Sequence, residues 1–177
     1  LKVNETPIKW SNKIEPCEIA AEGDVVATET EQLLDIETGA GREADAIFAT
    51  ENTAKYQILA DNAGQDKTVR LHISGKKDAH TAGCVEIVAK ENSTLTVVMD
   101  SRVAPDATKE EDSTAEASLA VRVRMKVESG ASVRLIQVQM PQEHETLLSD
   151  IGGNLIGEGA KVEYIQLFLG KGNLYSG

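Results

Sequence analysis

Aromatic residues are scarce: two Phe, three Tyr and one Trp make up 3% of the 177 residues. The core must therefore be built from Val, Ile, Leu and Ala, which suits a narrow β interior better than one that stacks rings. Cysteine occurs only at Cys17 and Cys84, too few for a disulfide scaffold, so a reducing cytoplasm is the expected setting. Cations are outnumbered, 18 Lys and Arg against 29 Asp and Glu. A net charge of −11 argues against nucleic acid and anionic membrane surfaces as partners, because both recruit basic patches. The sequence contains no run long and apolar enough for a transmembrane span, and no signal-peptide core.

Catalytic signatures are missing too. No Ser-His-Asp or Cys-His arrangement, P-loop or CxxC is present. Gly39-Ala40-Gly41-Arg42-Glu43-Ala44 fits the loosest dinucleotide fingerprint. That motif needs an apolar strand before it inside a βαβ unit, whereas Leu33-Leu34-Asp35-Ile36-Glu37 carries two acids; a turn between strands is the expectation. His72, His80 and His144 lack the paired spacing of a cupin metal site, so no metal is assigned to them. Cys84, beside Val85-Glu86-Ile87, reads as a small strand residue with no basic neighbour to activate a thiolate. Asn4-Glu5-Thr6 and Asn92-Ser93-Thr94 match the glycosylation tripeptide, which is common by chance. The residues assign no catalytic, cofactor-binding or metal role, and the expectation is a protein that is not an enzyme.

What the chain does have is an internal repeat. Val133-Arg134-Leu135-Ile136-Gln137-Val138-Gln139-Met140 and Val162-Glu163-Tyr164-Ile165-Gln166-Leu167-Phe168-Leu169 share one pattern, with starts 29 residues apart. A period of that size marks stacked repeats. Each copy follows a short turn, Glu128–Ser132 or Glu158–Lys161, and Glu91-Asn92-Ser93-Thr94 leads into a third copy at Leu95. Before these turns lie further strands, the clearest being Leu119–Val127, apolar on one face and cationic on the other; Val85–Ile87 and Ile151–Leu155 are weaker equivalents. Within each copy the apolar alternation changes parity, after Leu135 and after Tyr164, which predicts a bend or bulge there with Ile136 and Ile165 buried. Val133 should lie over Val162, and Ile136 over Ile165. One such unit buries about five apolar side chains, roughly 10 kcal/mol, and ordering its residues costs more, so units must stack. The expected fold is all-β, a parallel β-solenoid of the β-helix type; an antiparallel sandwich is the alternative.

Residues 66–177 form the expected solenoid core, and residues 1–65 an irregular β segment of early coils. Within that segment Val25-Val26, Leu33-Leu34, Ala46-Ile47-Phe48 and Tyr56–Leu59 read as strand pieces. The acidic stretch at about 100–118 has almost no apolar content and reads as a mobile loop between coils. It accounts for the wider spacing, 38 residues, between Leu95 and Val133.

The ordered set Glu91–Leu95, Leu119–Arg124, Gly130–Gln139, Ser149–Gly152 and Gly159–Gly170 resembles the SufB/SufD family, the scaffold subunits of the SUF iron–sulfur cluster assembly machinery. The resemblance is close over residues 66–177 and loose over 1–65, and it is nearer the short, SufD-like members. It implies a right-handed parallel β-helix, truncated here at its C-terminal end, and a cytoplasmic complex with a SufC-like ATPase and a SufB-like or identical subunit. It implies a non-catalytic scaffold with no cofactor in this chain, the assembled complex carrying the iron–sulfur cluster. The family's cluster residues and ATPase contacts fall in later segments, so none is carried onto this sequence. An extracellular β-helix enzyme acting on polysaccharide, or a structural repeat protein, is the rival. Because strand Val162–Leu169 ends the visible repeat, the chain reads as a piece of a longer scaffold, or as one whose last coil a partner covers. Association through residues 162–176 is expected, with Tyr164, Phe168 and Tyr175 in the interface.

Overall fold

A computed structural model describes residues 13–49, 51–104 and 117–177. The strands are β1 (Ile14–Pro16), β2 (Glu18–Gly23), β3 (Ala27–Glu29), β4 (Ala54–Ala60), β5 (Asp66–Ser74), β6 (His80–Ala89), β7 (Thr94–Arg102), β8 (Ser118–Val127), β9 (Ser132–Gln139), β10 (Thr146–Leu155), β11 (Lys161–Phe168) and β12 (Asn173–Ser176). The described residues hold one helix, α1 (Arg42–Phe48). The protein is all-β in class.

From β4 onwards, successive strands alternate between two sheets. One sheet runs in the order β12-β10-β8-β6-β4-β3, with β1 also on β6; the other runs β11-β9-β7-β5-β2. The pairings β4–β6–β8–β10–β12 and β5–β7–β9–β11 are all parallel, and neither order closes on itself. Antiparallel β2 and β3 end the two sheets at the early side of the stack. Val133 pairs with Val162 and Ile136 with Ile165, as the repeat predicts, and Leu95 pairs with Val133.

The parity inside these strands corrects the sequence expectation. β9 alternates without a break: Val133, Leu135, Gln137 and Gln139 are buried, whereas Arg134 is exposed and Ile136 and Val138 are half-buried. The ladder to β11 is continuous from Ser132 to Gln139, with no bulge after Leu135. Ile136 therefore lies on the outer face and not in the core. The interior instead changes character along the stack. In one column Leu71, Met99, Gln137 and Gln166 follow each other. The Gln137 carboxamide oxygen accepts from Ser149 Oγ at 2.9 Å and from the Tyr164 hydroxyl at 2.8 Å. Gln166 donates to Gln139 Oε1 at 2.8 Å. Side-chain partners satisfy these buried amides, so strand alternation prevails over amide polarity.

Elsewhere the interior is aliphatic. Leu119, Val121, Val123, Met125 and Val127 of β8 face Val97, Leu95, Leu135 and Val133 across the gap between sheets. Each such burial contributes about 2 kcal/mol. The turns stack as well. Gly64, Asn92, Gly130 and Gly159 all take left-handed backbone, at φ 74°, 57°, 67° and 74°. Gly64 donates to the Asn92 carbonyl, Asn92 to that of Ser129, and Gly130 to that of Glu158, which ties one corner of the repeat to the next. A Cβ at Gly130 would meet the Asn92 side-chain oxygen at 2.3 Å.

Several sequence expectations for the first 65 residues are corrected. Ala46-Ile47-Phe48 belongs to α1, not to a strand, and Leu33-Leu34 belongs to no strand. The glycine pair at Gly39 and Gly41 leads into that helix and not into a strand. A seven-residue helix is marginal alone. Ala44, Ile47 and Phe48 place one face of α1 against Ile14, Ala82, Cys84, Ala120 and Leu148 on the outer side of the larger sheet. Tyr56–Leu59 does lie in a strand, β4, and the parallel ladder begins there at Ala54, as expected of an early coil. Of the stretch expected as a loop at about 100–118, Asp100, Ser101 and Arg102 lie in β7 and Ser118 opens β8, and residues 105–116 lie outside the described residues.

Candidate functional site

The most concentrated chemistry lies on the outer face of the larger sheet, beneath a strap formed by residues 31–49. Strand alternation points Glu86 of β6, Arg122 and Arg124 of β8 and Asp150 of β10 outwards together. The strap then removes them from water: Glu86 and Asp150 are fully buried and Arg122 is 3% exposed. Arg122 donates to Asp150 at 2.6 Å and to Asp45 of α1 at 2.8 Å, and its guanidinium stacks 4.3 Å from the Phe48 ring centre. Asp150 also accepts from the Thr38 hydroxyl and the Ala40 amide, at 2.8 and 2.9 Å. Glu86 accepts from the Leu34 amide at 2.9 Å and pairs with Arg124 at 3.4 Å. Two buried carboxylates thus hold the strap by its backbone and hydroxyl donors. A Cβ at Gly152 would meet the Glu37 carbonyl at 2.1 Å, so a glycine there lets the strap lie directly on the sheet.

Burial pushes the Glu86 carboxyl above its usual range, against the opposing pull of the Leu34 amide and Arg124. Arg124 Nε is buried with no hydrogen-bond partner among the described residues. Beside it, a cavity of about 440 Å³ is lined by Asp35, Glu37, Thr38, Asp45 and Arg124. This is a cross-linked ion-pair layer joining the strap to the sheet. The sequence showed the cations of β8 but not what covers them, because the strap has no periodic pattern of its own.

The cysteines are separately placed. Cys17 packs in the interior against Gly83, where a Cβ would lie 2.4 Å from its sulfur. Cys84 faces the opposite side, under α1. Burial pushes the thiols up to about 12 and about 11 respectively, so neither acts as a nucleophile near neutral pH. The histidines do not converge. His72 lies between Glu22 and Asp100, at 3.5 and 3.7 Å, on the outer face of the smaller sheet. His80 Nδ1 contacts Ser118 Oγ at the head of β6 and β8, a pairing that no sequence spacing signals. His144 occupies a turn at φ 69°. Among the described residues no group of three or more His, Cys, Asp or Glu is arranged to hold a metal ion. No helix among them is long and apolar enough to cross a membrane.

The expected interface residues Tyr164, Phe168 and Tyr175 lie at the late end of the stack, 39%, 42% and 36% exposed. Tyr164 and Phe168 share the inward parity of β11, pairing with Leu135 and Gln139, and Tyr175 lies in β12. Leu155, Ile156, Ile165, Leu167 and Leu169 are the other large apolar residues exposed in this region. Comparison with protein-family models, with curated proteins and with solved structures gives no match.

Proposed function

We propose that this chain is a right-handed parallel β-helix serving as a non-catalytic scaffold subunit in SUF-type iron–sulfur cluster assembly. In this reading it works in the cytoplasm with a SufC-like ATPase and a SufB-like or identical subunit. The observation that carries the reading is the in-register parallel stacking of the repeats at Leu95, Val133 and Val162, the segments in which the SufB/SufD resemblance resides. A scaffold transmits force and position, and a cross-linked stack with a strapped, ion-paired flank is suited to that. The iron–sulfur cluster is cargo of the assembled complex, and no residue of this chain is assigned to it. The late end of the stack, with Tyr164, Phe168 and Tyr175, carries β11 and β12, the last strands of the two sheets, and in this reading a partner's strand pairs there.

The test is co-expression with a SufC-like ATPase and a SufB-like subunit, followed by affinity purification through this chain. The reading expects the SufB-like subunit to co-purify, and Phe168→Asp to reduce its recovery. Recovery of neither partner, from preparations in which this chain is folded, would remove the assignment.

A further inference from the structure

The two sheets differ in what covers their outer sides. The strap and α1 lie across the larger sheet. The smaller sheet presents an apolar patch on its last two strands: Ile136 and Val138 on β9, and Ile165 and Leu167 on β11. Ile136 and Val138 are half-buried, and Ile165 and Leu167 are 36% and 44% exposed. These β-branched and aliphatic side chains point away from the interior, which their neighbours Val133, Leu135 and Gln137 fill. On the same face, one step earlier along the strands, Arg134 pairs with Glu163. The patch is thus an aliphatic square flanked by Arg134 and Glu163, with Lys161 one step further along β11 and Asp100 beside Val138 on β7, two cations and two anions within a chain of net charge −11.

We propose that this outer face packs against the same face of a second copy of the chain. The reason is self-complementarity under a two-fold axis. Place the axis parallel to the strands, above the face and midway between β9 and β11. It lays β9 of each copy on β11 of the other without shifting the register. Arg134 then opposes the second copy's Glu163, and Glu163 opposes its Arg134. Ile136 opposes Ile165, and Val138 opposes Leu167. Arg134 and Glu163 each meet their opposite, Lys161 meets Ser132, and each of the four apolar residues meets an apolar one, the self-complementarity an isologous interface requires. Aligned packing of two sheets about 10 Å apart provides the space for such contacts. A net charge of −11 opposes self-association over most of the surface, and this neutral face escapes that repulsion. The face is distinct from the strand edges at the end of the stack, and it does not depend on the scaffold reading: failure of the co-purification leaves it standing.

Sedimentation equilibrium on the purified 177-residue chain tests it, with Arg134→Glu, Glu163→Arg, the double reversal, Ile165→Lys and Phe168→Ser. The wild type should show a concentration-dependent dimer. Each single charge reversal should weaken it by about tenfold or more, because like charges then face each other. The double reversal should restore it, since the pattern is regenerated with signs exchanged. Ile165→Lys should abolish the dimer, with a urea midpoint close to wild type because the residue is outside the core. A strict monomer at every concentration would overturn the proposal. So would a dimer that survives both Arg134→Glu and Ile165→Lys, or a double reversal as weak as the singles. Loss of the dimer in Phe168→Ser alone would assign it to the strand edge and overturn the proposal as well.

Discussion

Val133 lies beside Val162 as its direct partner in a parallel ladder, and both side chains turn into the space between the two sheets. The 29-residue repeat in the sequence is thus a structural register, held over the eight residue pairs from Ser132–Lys161 to Gln139–Phe168. Parallel stacking of like on like is why those two segments resemble each other: each side chain must fit over its own equivalent.

The direction of side chains in β9 separates two neighbouring residues sharply. Leu135 is fully buried and Ile136 lies on the outer face. Leu135→Ala should cost about 2–5 kcal/mol by leaving a cavity, and Ile136→Ala about 1 kcal/mol or less. Urea denaturation of the two variants checks this; equal losses would contradict the alternation.

The Gln137 amide is the acceptor for two hydroxyls inside the stack. Gln137→Leu leaves Ser149 and Tyr164 without that acceptor and should destabilise by about 1–3 kcal/mol despite the more apolar side chain. Tyr164→Phe in the Gln137→Leu background should recover part of the loss. A Gln137→Leu variant as stable as wild type would show that the amide is not held as described.

Arg122 and Asp150 form a buried pair, and Asp150 also holds the strap. Asp150→Ala leaves buried Arg122 with Asp45 as its remaining carboxylate and frees the Thr38 and Ala40 donors, for which about 3 kcal/mol is the expected cost. Hydrogen exchange should accelerate at the Ala40 amide more than in the β7 ladder. Uniform acceleration throughout would mean that the strap is not a separable unit.

Burial raises the Glu86 carboxyl above its unfolded value. The folded state then holds its proton more tightly than the unfolded state, so this group's contribution is fully present below the unfolded value. It is lost as pH rises through the folded one. Stability against pH, measured for wild type and Glu86→Gln, should differ by a downward slope in wild type above the ordinary carboxylate range. Parallel curves would sink the assignment.

Native Cys17 and Cys84, with thiols pushed up to about 12 and about 11, should resist alkylation at pH 8 and react fully in denaturant. Mass spectrometry reads both states, and rapid native labelling at either site would contradict their burial.

Much of this fold was legible in the sequence, and the failures have physical causes. The strands β8, β9 and β11, their register and the turn at Gly130 follow from period and turn chemistry. The parity after Leu135 did not, because β9 and β11 carry aliphatic residues on both faces while their interior columns turn to Gln137 and Gln166. Hydrophobicity alone then points to the wrong side. α1 escaped because seven residues with an uncapped start carry little helical signal. The ion-pair layer joins Asp45, Glu86, Arg122 and Asp150, which are distant in sequence and brought together only by the stack and its strap.

The most direct test of the stack is inter-strand NOE assignment in the labelled protein. In-register parallel strands require backbone contacts linking residues around 133 with 162, 135 with 164 and 137 with 166, always offset by 29. Antiparallel pairing would instead link residues whose numbers sum to a constant. A constant offset is the result expected here, and a constant sum would contradict the parallel stack on which the scaffold reading rests.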